Sequence, residues 1–424
     1  MRYPLFLTVQ LASTFALLGA VLTGCVNGTI GSQGGGQSSS DGGNNDTTNP
    51  DDTDPGNTGP GNTGPGSTAP GDTAAGGGNQ GGGGPGTTAQ GGSAGQGAGD
   101  PAGGAPGGGN EGAGSPGDNQ GQGVFEAPNV WTKNIAALPK NAESDAIIAW
   151  LDQAGGWGGG TMKIDFGLEV LHADSSTPKK QFYPTEDFYS PDCDEVPFPV
   201  PAEGAIEAED GFECTQGGDC HLLVVHEDEK KLYEMWRADI SGDTFNGGCV
   251  AVWDLTKTYP FNLRGEGCTS ADAGGFPITA MLFTPDEVAT GEIKHALRFI
   301  LPNARIRDNV YVHPGTHSTF PTSGGPDAPP YGVRFRLRSD FPMDSLPSDG
   351  ARVIAKALQE YGMFLADGGT IALTGESDRF SPNKWEDMGV DSYSLSGIEV
   401  TDMEVVDMGD PINWSGDCFR NPPP

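Results

Sequence analysis

The chain has 424 residues, of which 69 are glycine and 34 are proline, and its formal net charge at pH 7 is −34. Glycine follows no strict triplet, and the composition excludes a collagen, a coiled coil and a multi-span membrane protein. The excess of acidic residues disfavours nucleic acid as a partner, because nucleic-acid binding depends on neutralising phosphates. It also disfavours strongly anionic polysaccharides, unless a local basic patch overrides the overall charge.

The first 25 residues have the layout of a secretory signal peptide: a basic residue at Arg2, then a mostly apolar segment over residues 5–22. The segment ends in LTGC, which resembles the lipobox of bacterial lipoproteins. That resemblance implies a signal peptide of residues 1–24, cleavage before Cys25 and lipid attachment to its sulfur. An ordinary signal peptide that happens to contain a cysteine, or an uncleaved anchor, is the alternative.

Residue 26 bears on the final location of such a lipoprotein. Val26 stands where an aspartate would suggest retention at the inner membrane, so we expect an exported chain, lipid-anchored at the outer membrane or cell surface. Contact with a membrane would then occur only through the lipid anchor.

Residues 25–123 form a segment rich in glycine, proline and threonine that contains no aromatic, lysine or arginine residue. Such a segment cannot bury enough apolar surface to fold, which predicts a disordered tether. A five-residue repeat that starts at Pro55, Pro60, Pro65 and Pro70 has no apolar position and indicates a linker. We expect residues 124–424, which hold all seven tryptophans, to form one globular β-rich domain.

Six cysteines fall within the predicted globular domain. An even number in an exported chain predicts three disulfides, for which fifteen connectivities exist. A zinc site is the alternative, but the chain has no CxxC pair and its histidines are not suitably interleaved. The pairs that we expect are Cys214–Cys220, Cys249–Cys268 and Cys193–Cys418.

Short apolar segments between turn residues predict a mainly β fold. The predicted strands are a hairpin of 221–226 and 232–236 and single strands at 249–253, 292–301 and 332–338. A second predicted hairpin, of 361–366 and 370–374, flanks the turn signal Asp367-Gly-Gly. The predicted helices are 144–153, a capped helix that begins at Thr284, and 348–361. We therefore expect an antiparallel β-sandwich or jelly roll with about three short helices, stapled by disulfides.

Five segments, which begin at residues 219, 232, 268, 286 and 361, are similar to a family of secreted bacterial proteins found in myxobacteria and actinobacteria. They read DCHLLVV, LYEMW, CTSADAGGFP, DEVATGEIKHALRF and YGMFLAD. The similarity extends over roughly residues 196–407. It implies export and a single domain, and because this family is uncharacterised, it implies no catalytic residue.

The chain contains no nucleophile elbow, phosphate loop, HExxH or dinucleotide fingerprint, so it lacks the marks of serine-triad and nucleotide enzymes. Cleavage of a glycosidic bond needs two carboxyl groups across a groove. Glu234 lies near Trp236, a ring on which a sugar could stack; Asp272 lies in a glycine-rich turn. Glu287 and His295 complete the catalytic candidates. Each candidate also has a structural alternative. Glu234 would be a surface residue, and Asp272 would cap its turn. Glu287 would belong to a capping box, and His295 would be a core histidine.

Arg334, Arg336 and Arg338 alternate along a predicted strand and form the one local positive patch. Together with Arg298 they are candidates for binding the carboxylates of an acidic glycan or peptide. The alternative is a solvated strand face that balances neighbouring acids. If the patch met His295 in one groove, a polysaccharide lyase would become attractive, although the overall charge argues against it.

His313 and His317 are four residues apart, but the proline and glycine between them prevent a regular helix face. This favours a polar loop over a metal site, and His317 remains a candidate for binding substrate. No EF-hand spacing is present, although scattered acids are able to hold a structural Ca²⁺. We expect no other cofactor.

These observations favour a surface-tethered lipoprotein whose β-sandwich hydrolyses glycosidic bonds of extracellular polysaccharide. A non-catalytic carbohydrate-binding or adhesion module of the cell envelope is the alternative, and a structural envelope protein is a third hypothesis. Geometry distinguishes the first two. Two facing carboxyls, one with a shifted pKa, favour an enzyme, and an aromatic platform without such a pair favours a binding module.

Overall fold

The computed structural model describes residues 123–215, 217–406 and 409–422. The predicted signal peptide, Cys25 and all of the predicted tether except Gly123 lie outside these residues. Among the described residues, no helix is both long enough and apolar enough to cross a membrane.

The three predicted helices are present as α1 (Ser144–Gln153), α2 (Pro285–Thr290) and α3 (Asp349–Glu360). At the start of α2, the Thr284 hydroxyl accepts a hydrogen bond from the Glu287 amide, and the Glu287 carboxylate accepts one from the Thr284 amide. The predicted capping box is therefore confirmed, and it explains why so short a helix forms here.

Ten strands build the two larger sheets of the fold. They are β1 (Ile164–Leu168), β2 (Val170–Ala173), β3 (Leu222–His226), β4 (Lys231–Trp236), β5 (Cys249–Asp254), β6 (Leu297–Leu301), β7 (Arg334–Leu337), β8 (Met363–Gly368), β9 (Leu373–Glu376) and β10 (Met403–Val405). The remaining strands form small sheets: Lys179–Lys180, Tyr183–Pro184, Phe198–Pro199, Asp239–Ser241, Thr244–Gly247, Gly265–Glu266, Val310–Tyr311, Ile412–Asn413 and Phe419–Arg420.

The six-stranded sheet has the order β1-β9-β6-β8-β7-β10 and mixes parallel with antiparallel pairs. The predicted hairpin of β8 and β9 is wrong, because β6 lies between these strands. Leu297 of β6 pairs with Met363 of β8 in parallel, and Phe299 pairs with Leu373 of β9 in antiparallel orientation. The predicted strand 292–301 begins only at Leu297.

The four-stranded sheet has the order β5-β4-β3-β2. Its β3–β4 pair confirms the predicted hairpin, and β5 confirms the predicted strand at Cys249. The mainly β expectation therefore holds, but the antiparallel jelly roll does not. A jelly roll is built from antiparallel strands, whereas β1–β9, β6–β8 and β2–β3 are parallel pairs here.

Buried apolar side chains form three clusters, which pack against the faces of the two larger sheets. The first joins one face of the six-stranded sheet to α1 and α3, and includes Leu151, Phe299 and Leu358. The second joins the opposite face to the four-stranded sheet, and includes Phe364 and Trp253. Side chains alternate along a strand, so the neighbour of each helix-facing residue of β6 faces the other sheet.

The third cluster covers the other face of the four-stranded sheet, where Phe198 and Phe245 of two short strands pack. Both faces of this sheet are therefore buried. Its strands consequently read as continuous apolar runs and do not alternate.

Three disulfides link the six cysteines of the described residues. Cys214–Cys220 confirms the prediction, whereas the other two predicted pairs are wrong. Cys193 bonds Cys249, at a Cα separation of 5.2 Å, because the segment after Cys193 lies along β5. Cys268 bonds Cys418, at a Cα separation of 4.5 Å, because Gly265–Glu266 pairs with Phe419–Arg420 next to them. The C-terminal tail is thus joined to the loop that follows residue 267.

The arginines of β7 anchor the N-terminal segment of the described domain. Arg334 is buried and donates to the carbonyl oxygens of Tyr361, Val130 and Lys133 at 2.8, 3.1 and 2.9 Å. Its guanidinium stacks on the Phe364 ring at 4.6 Å. All these contacts are intramolecular, so Arg334 presents no surface to a ligand.

Arg336 has a comparable role, because it donates to the carbonyl oxygens of Ile135, Ala136 and Leu138 and pairs with Glu404. Only Arg338 of the predicted patch is exposed, and it pairs with a neighbouring aspartate. The predicted positive patch is therefore wrong, as is the solvated face that was its alternative.

We expect Arg334→Met to lower the free energy of unfolding by about 3 kcal/mol, because it leaves three carbonyl oxygens without their buried donor. Urea denaturation of the full chain measures this change. Arg338→Met is the matched control, since its side chain is exposed and its loss should leave the free energy of unfolding nearly unchanged. Equal losses in the two variants would contradict the anchoring role.

Candidate active site

A cavity of about 610 Å³ lies at the C-terminal ends of β4 and β8. These strands supply Trp236 and Asp367, and much of the rest of the lining comes from residues 269–273, from residues between 317 and 321, and from Trp414 of the C-terminal tail. Two sheets, two loops and the disulfide-linked tail therefore converge on one concave surface.

At the base of the cavity, two carboxylates share one guanidinium. Arg298 of β6 donates to Asp272 Oδ1 from Nε at 3.2 Å and from Nη2 at 2.8 Å, and the same Nη2 donates to Asp367 Oδ2 at 2.9 Å. Arg298 faces the four-stranded sheet because Leu297 and Phe299 on either side of it face the helices. Asp272 is fully buried, and its Oδ2 atom has no hydrogen-bond partner among the described residues.

The glycine-rich turn after Asp272 holds this carboxylate beside β8. The Gly274 amide donates to the carbonyl oxygen of Ala366, the residue before Asp367, at 2.7 Å. Gly275 has φ = +84°, and a Cβ atom there would lie 2.0 Å from Thr316 Oγ1, so no other residue fits. The Asp272 side chain bonds Arg298 and does not cap the turn.

Burial changes the acidity of both carboxyls. It raises the pKa of Asp367 to about 7, and the charges of Asp272 and Asp219 add to this rise while Arg298 opposes it. Burial also raises the pKa of Asp272 above its usual value, against two hydrogen bonds from Arg298. Near neutral pH, Asp367 is therefore able both to give and to take a proton.

His221 supports the Asp272 turn from below, a role that the sequence does not predict. Its Nδ1 atom lies 2.6 Å from the Glu207 carboxylate, and its Nε2 atom lies 3.0 Å from the Ala271 carbonyl oxygen. Burial opposes the protonation of His221, but Glu207 raises its pKa to about 9. The imidazolium thus donates to the residue next to Asp272. Nothing in the sequence around His221 marks this contact.

An aromatic arc follows the cavity wall. Phe320 packs on Trp414 with ring centroids 4.7 Å apart, Trp414 on His317 at 4.4 Å, His317 on Tyr189 at 6.4 Å, and Tyr189 on Trp236 at 5.9 Å. Phe320 stands at one end and is largely exposed. These five rings form a continuous apolar surface beside the carboxylates.

His317 takes part in the arc as a neutral imidazole. Burial lowers its pKa to about 4, and its Nδ1 atom lies 2.7 Å from the Ala273 carbonyl oxygen. A carbonyl only accepts, so Nδ1 carries the proton and Nε2 presents a lone pair. No other described residue bonds that Nε2 atom.

At the mouth of the cavity, Asp219 and Arg237 flank Trp236. Asp219 is exposed and accepts a hydrogen bond from the Trp236 indole at 2.5 Å. Arg237 stacks over the same ring at 4.8 Å and forms an ion pair with Asp187. The Cys214–Cys220 disulfide ends one residue after Asp219 and ties its loop to β3.

Glu234, predicted as a catalytic residue, lies outside the cavity. It is fully buried and accepts from the Trp253 indole at 3.0 Å and from the Thr279 amide and hydroxyl at 2.8 and 2.9 Å. Glu287 and His295 also lie elsewhere, where they contact each other at 3.1 Å. Glu287 belongs to the capping box as well, so both residues have structural contacts.

Of the residues predicted from sequence, Asp272, Trp236 and His317 line the cavity, and Arg298 lies beneath it. The structure adds Asp367, Asp219, Tyr189, Phe320 and Trp414 to the lining. It also adds His221, which contacts the residue next to Asp272. Two groups of acids and cysteines among the described residues are close enough for a metal ion, but each contains a disulfide, whose sulfurs are not free thiolates. The structural Ca²⁺ stays a prediction.

No protein-family model, no curated protein and no solved structure matches this chain. The similarity to secreted myxobacterial and actinobacterial proteins therefore stays a prediction.

The raised pKa of Asp367 predicts a pH dependence of stability. Between about pH 4 and pH 7 the folded chain holds a proton on Asp367 that the unfolded chain releases, so this group's contribution to stability falls as pH rises through that window. Asp367→Asn removes the contribution, and we expect a flatter profile of unfolding free energy against pH.

Urea denaturation at several pH values measures both profiles, with exposed Asp243→Asn as the charge-matched control. The profiles of the wild-type and Asp243→Asn chains should run parallel. A parallel profile for Asp367→Asn would show that its carboxyl titrates normally.

Proposed function

We propose that this chain is a glycoside hydrolase that acts on extracellular polysaccharide, with Asp367 and Asp272 as its two catalytic carboxyls. The observation that carries the proposal is the pair itself: two carboxyls on one guanidinium, at the base of a cavity with an aromatic wall. The sequence of residues 1–25 supports export and anchoring through a lipid on Cys25.

The spacing of the pair favours a retaining mechanism. Both carboxyls bond the same Nη2 atom of Arg298, at 2.8 and 2.9 Å, so they are close neighbours. Retaining enzymes place their carboxyls about 5–5.5 Å apart, whereas inverting enzymes need roughly 6.5–9.5 Å to admit a water molecule between them.

The environments of the two groups support different roles. Asp367, whose pKa is about 7, gives its proton to the glycosidic oxygen. Oδ2 of Asp272 forms a bond to the anomeric carbon as the glycosidic bond breaks, and the alcohol leaves. Asp367 then takes a proton from a water molecule, whose oxygen replaces Asp272 on the anomeric carbon. Both carboxyls return to their first state.

The aromatic arc supports a sugar as the substrate. Sugar rings present C–H groups on their faces, and these pack against aromatic rings such as Trp236 and Trp414. The exposed ring of Phe320 extends this surface out of the cavity, as a polymeric substrate requires.

A non-catalytic carbohydrate-binding module is the second candidate. The aromatic arc alone is sufficient to bind a sugar. In this second function, the carboxyl pair serves only to hold the loop 269–273 on β8.

We expect Asp367→Asn and Asp272→Asn each to slow the release of reducing ends by about 10²- to 10⁴-fold, because each removes a group that transfers a proton or attacks the sugar. Binding of the same polysaccharides should persist. For the wild-type chain, the rate should fall as pH rises past about 7, where Asp367 loses its proton.

Reducing-end assays and binding assays on a polysaccharide panel measure these effects. Exposed Asp243→Asn is the control and should keep the wild-type rate. Undiminished cleavage in both site variants would overturn the assignment of the pair. Binding by the wild-type chain without any product would favour the second candidate.

A further inference from the structure

Exposed phenylalanines collect around the disulfide-linked C-terminal tail. Among the described residues four phenylalanines are largely exposed, and three of them, Phe261, Phe320 and Phe419, lie on the tail or beside it. Phe261 is 67% exposed and Phe419 is 69% exposed. A single exposed ring is ordinary on a protein surface, whereas several rings in one region indicate a binding site.

Two of these rings, Phe261 and Phe419, share a surface with Glu266 and His313. The Phe261 ring packs edge-on against the His313 ring, with centroids 4.8 Å apart. His313 Nε2 lies 3.1 Å from both carboxylate oxygens of Glu266. Glu266 is the cross-strand partner of Phe419, so these two side chains project from the same face of their small sheet. We call these four residues the outer aromatic surface.

The outer aromatic surface adjoins the aromatic arc of the cavity. The Trp414 indole donates to the Gly267 carbonyl oxygen at 3.3 Å, and Gly267 directly follows Glu266. The same Trp414 ring packs on Phe320 within the arc. The Cys268–Cys418 disulfide lies next to this junction and fixes the tail to the loop. The rings therefore continue from the cavity wall, through Trp414, to the outer aromatic surface.

The centre of the outer aromatic surface is polar, which favours a carbohydrate over a protein partner. The side chains of His313 and Glu266 are 24% and 35% exposed, and they link the two phenylalanine rings. The centre of a protein–protein interface is depleted of charged residues such as glutamate. A sugar presents hydroxyl groups beside its C–H faces, so it matches polar groups that lie between rings.

We propose that the outer aromatic surface is a further binding site, which holds the part of a polysaccharide chain that extends out of the cavity. This inference rests on the proposed function and makes a long polymer its substrate. A chain whose reacting bond lies beside the carboxyls passes along the arc and leaves the cavity at Phe320. Outside the cavity, its sugars contact Phe261 and Phe419, and these contacts add affinity that a short oligosaccharide does not gain.

A comparison of chain lengths tests this proposal on the full chain. The ligands are laminarin, xylan and glucomannan, each compared with a trisaccharide of its own backbone. Calorimetry measures affinity, and the release of reducing ends gives KM and kcat. One double variant replaces Phe261 and Phe419 by alanine, and a second replaces both by tyrosine, which keeps the rings. Phe380→Ala is the matched control, because Phe380 is an exposed phenylalanine on the segment after β9.

We expect the double alanine variant to bind the polymers at least about fivefold more weakly, because two ring contacts are lost. Its affinity for the trisaccharides should change less than about twofold. The loss should appear in the KM for polymer and not in kcat, because contacts outside the cavity are the same in the ground state and the transition state. The double tyrosine variant and Phe380→Ala should bind the polymers as the wild-type chain does.

Equal losses for polymer and trisaccharide would overturn the inference, and so would an equal loss in Phe380→Ala or binding of none of the three polymers. A wild-type dimer in sedimentation that the double alanine variant loses would also overturn it, by showing that a second copy covers the surface. Polymer cleavage with an unchanged KM in the double alanine variant would overturn the inference and leave the hydrolase standing. Polymer binding that depends on the two rings, without any product, would support the inference and contradict the hydrolase.

Discussion

The buried guanidinium of Arg298 joins Asp272, on a loop, to Asp367, at the end of β8, and the cavity is arranged around this contact. Each member is costly to bury alone, and each compensates the charge of another. Loss of Arg298 would leave the two carboxyls without their counter-charge. The contact keeps two carboxyls close together. Burial raises the pKa of Asp367 to about 7 against the opposing charge of Arg298, which is the condition for acid–base chemistry near neutral pH.

Local signals predicted the elements of the fold better than their arrangement. The capping residue Thr284 places the start of α2 correctly, because a cap depends only on its own turn. The apolar stripe of residues 348–361 likewise places α3. The β8–β9 hairpin was wrong because Asp367-Gly-Gly is a turn signal that carries no information about β6, which inserts between these strands. The pairing of Cys193 and Cys249 likewise depends on a contact between segments that are distant in sequence.

The candidate site was predicted only in part, for a similar reason. Asp272 was found because a carboxylate in a glycine-rich turn is conspicuous, and Trp236 because an aromatic ring beside acids suggests sugar binding. In the sequence, Asp367-Gly-Gly indicates only a turn, and the role of Asp367 appears only when β6 brings Arg298 to it. The alternation around Arg334 suggested an exposed stripe, but that face is covered by the N-terminal segment, whose carbonyl oxygens it binds.

The central claim is that Asp272 and Asp367 act as a catalytic pair, and trapping the sugar on the nucleophile tests it most directly. The Asp367→Asn chain would be mixed with a dinitrophenyl glycoside, whose leaving group needs no acid, so that the first step proceeds while the second is slow. Mass spectrometry of the digested chain should then locate one glycosyl group on the peptide that contains Asp272. No adduct, or an adduct on another carboxyl, would contradict the account.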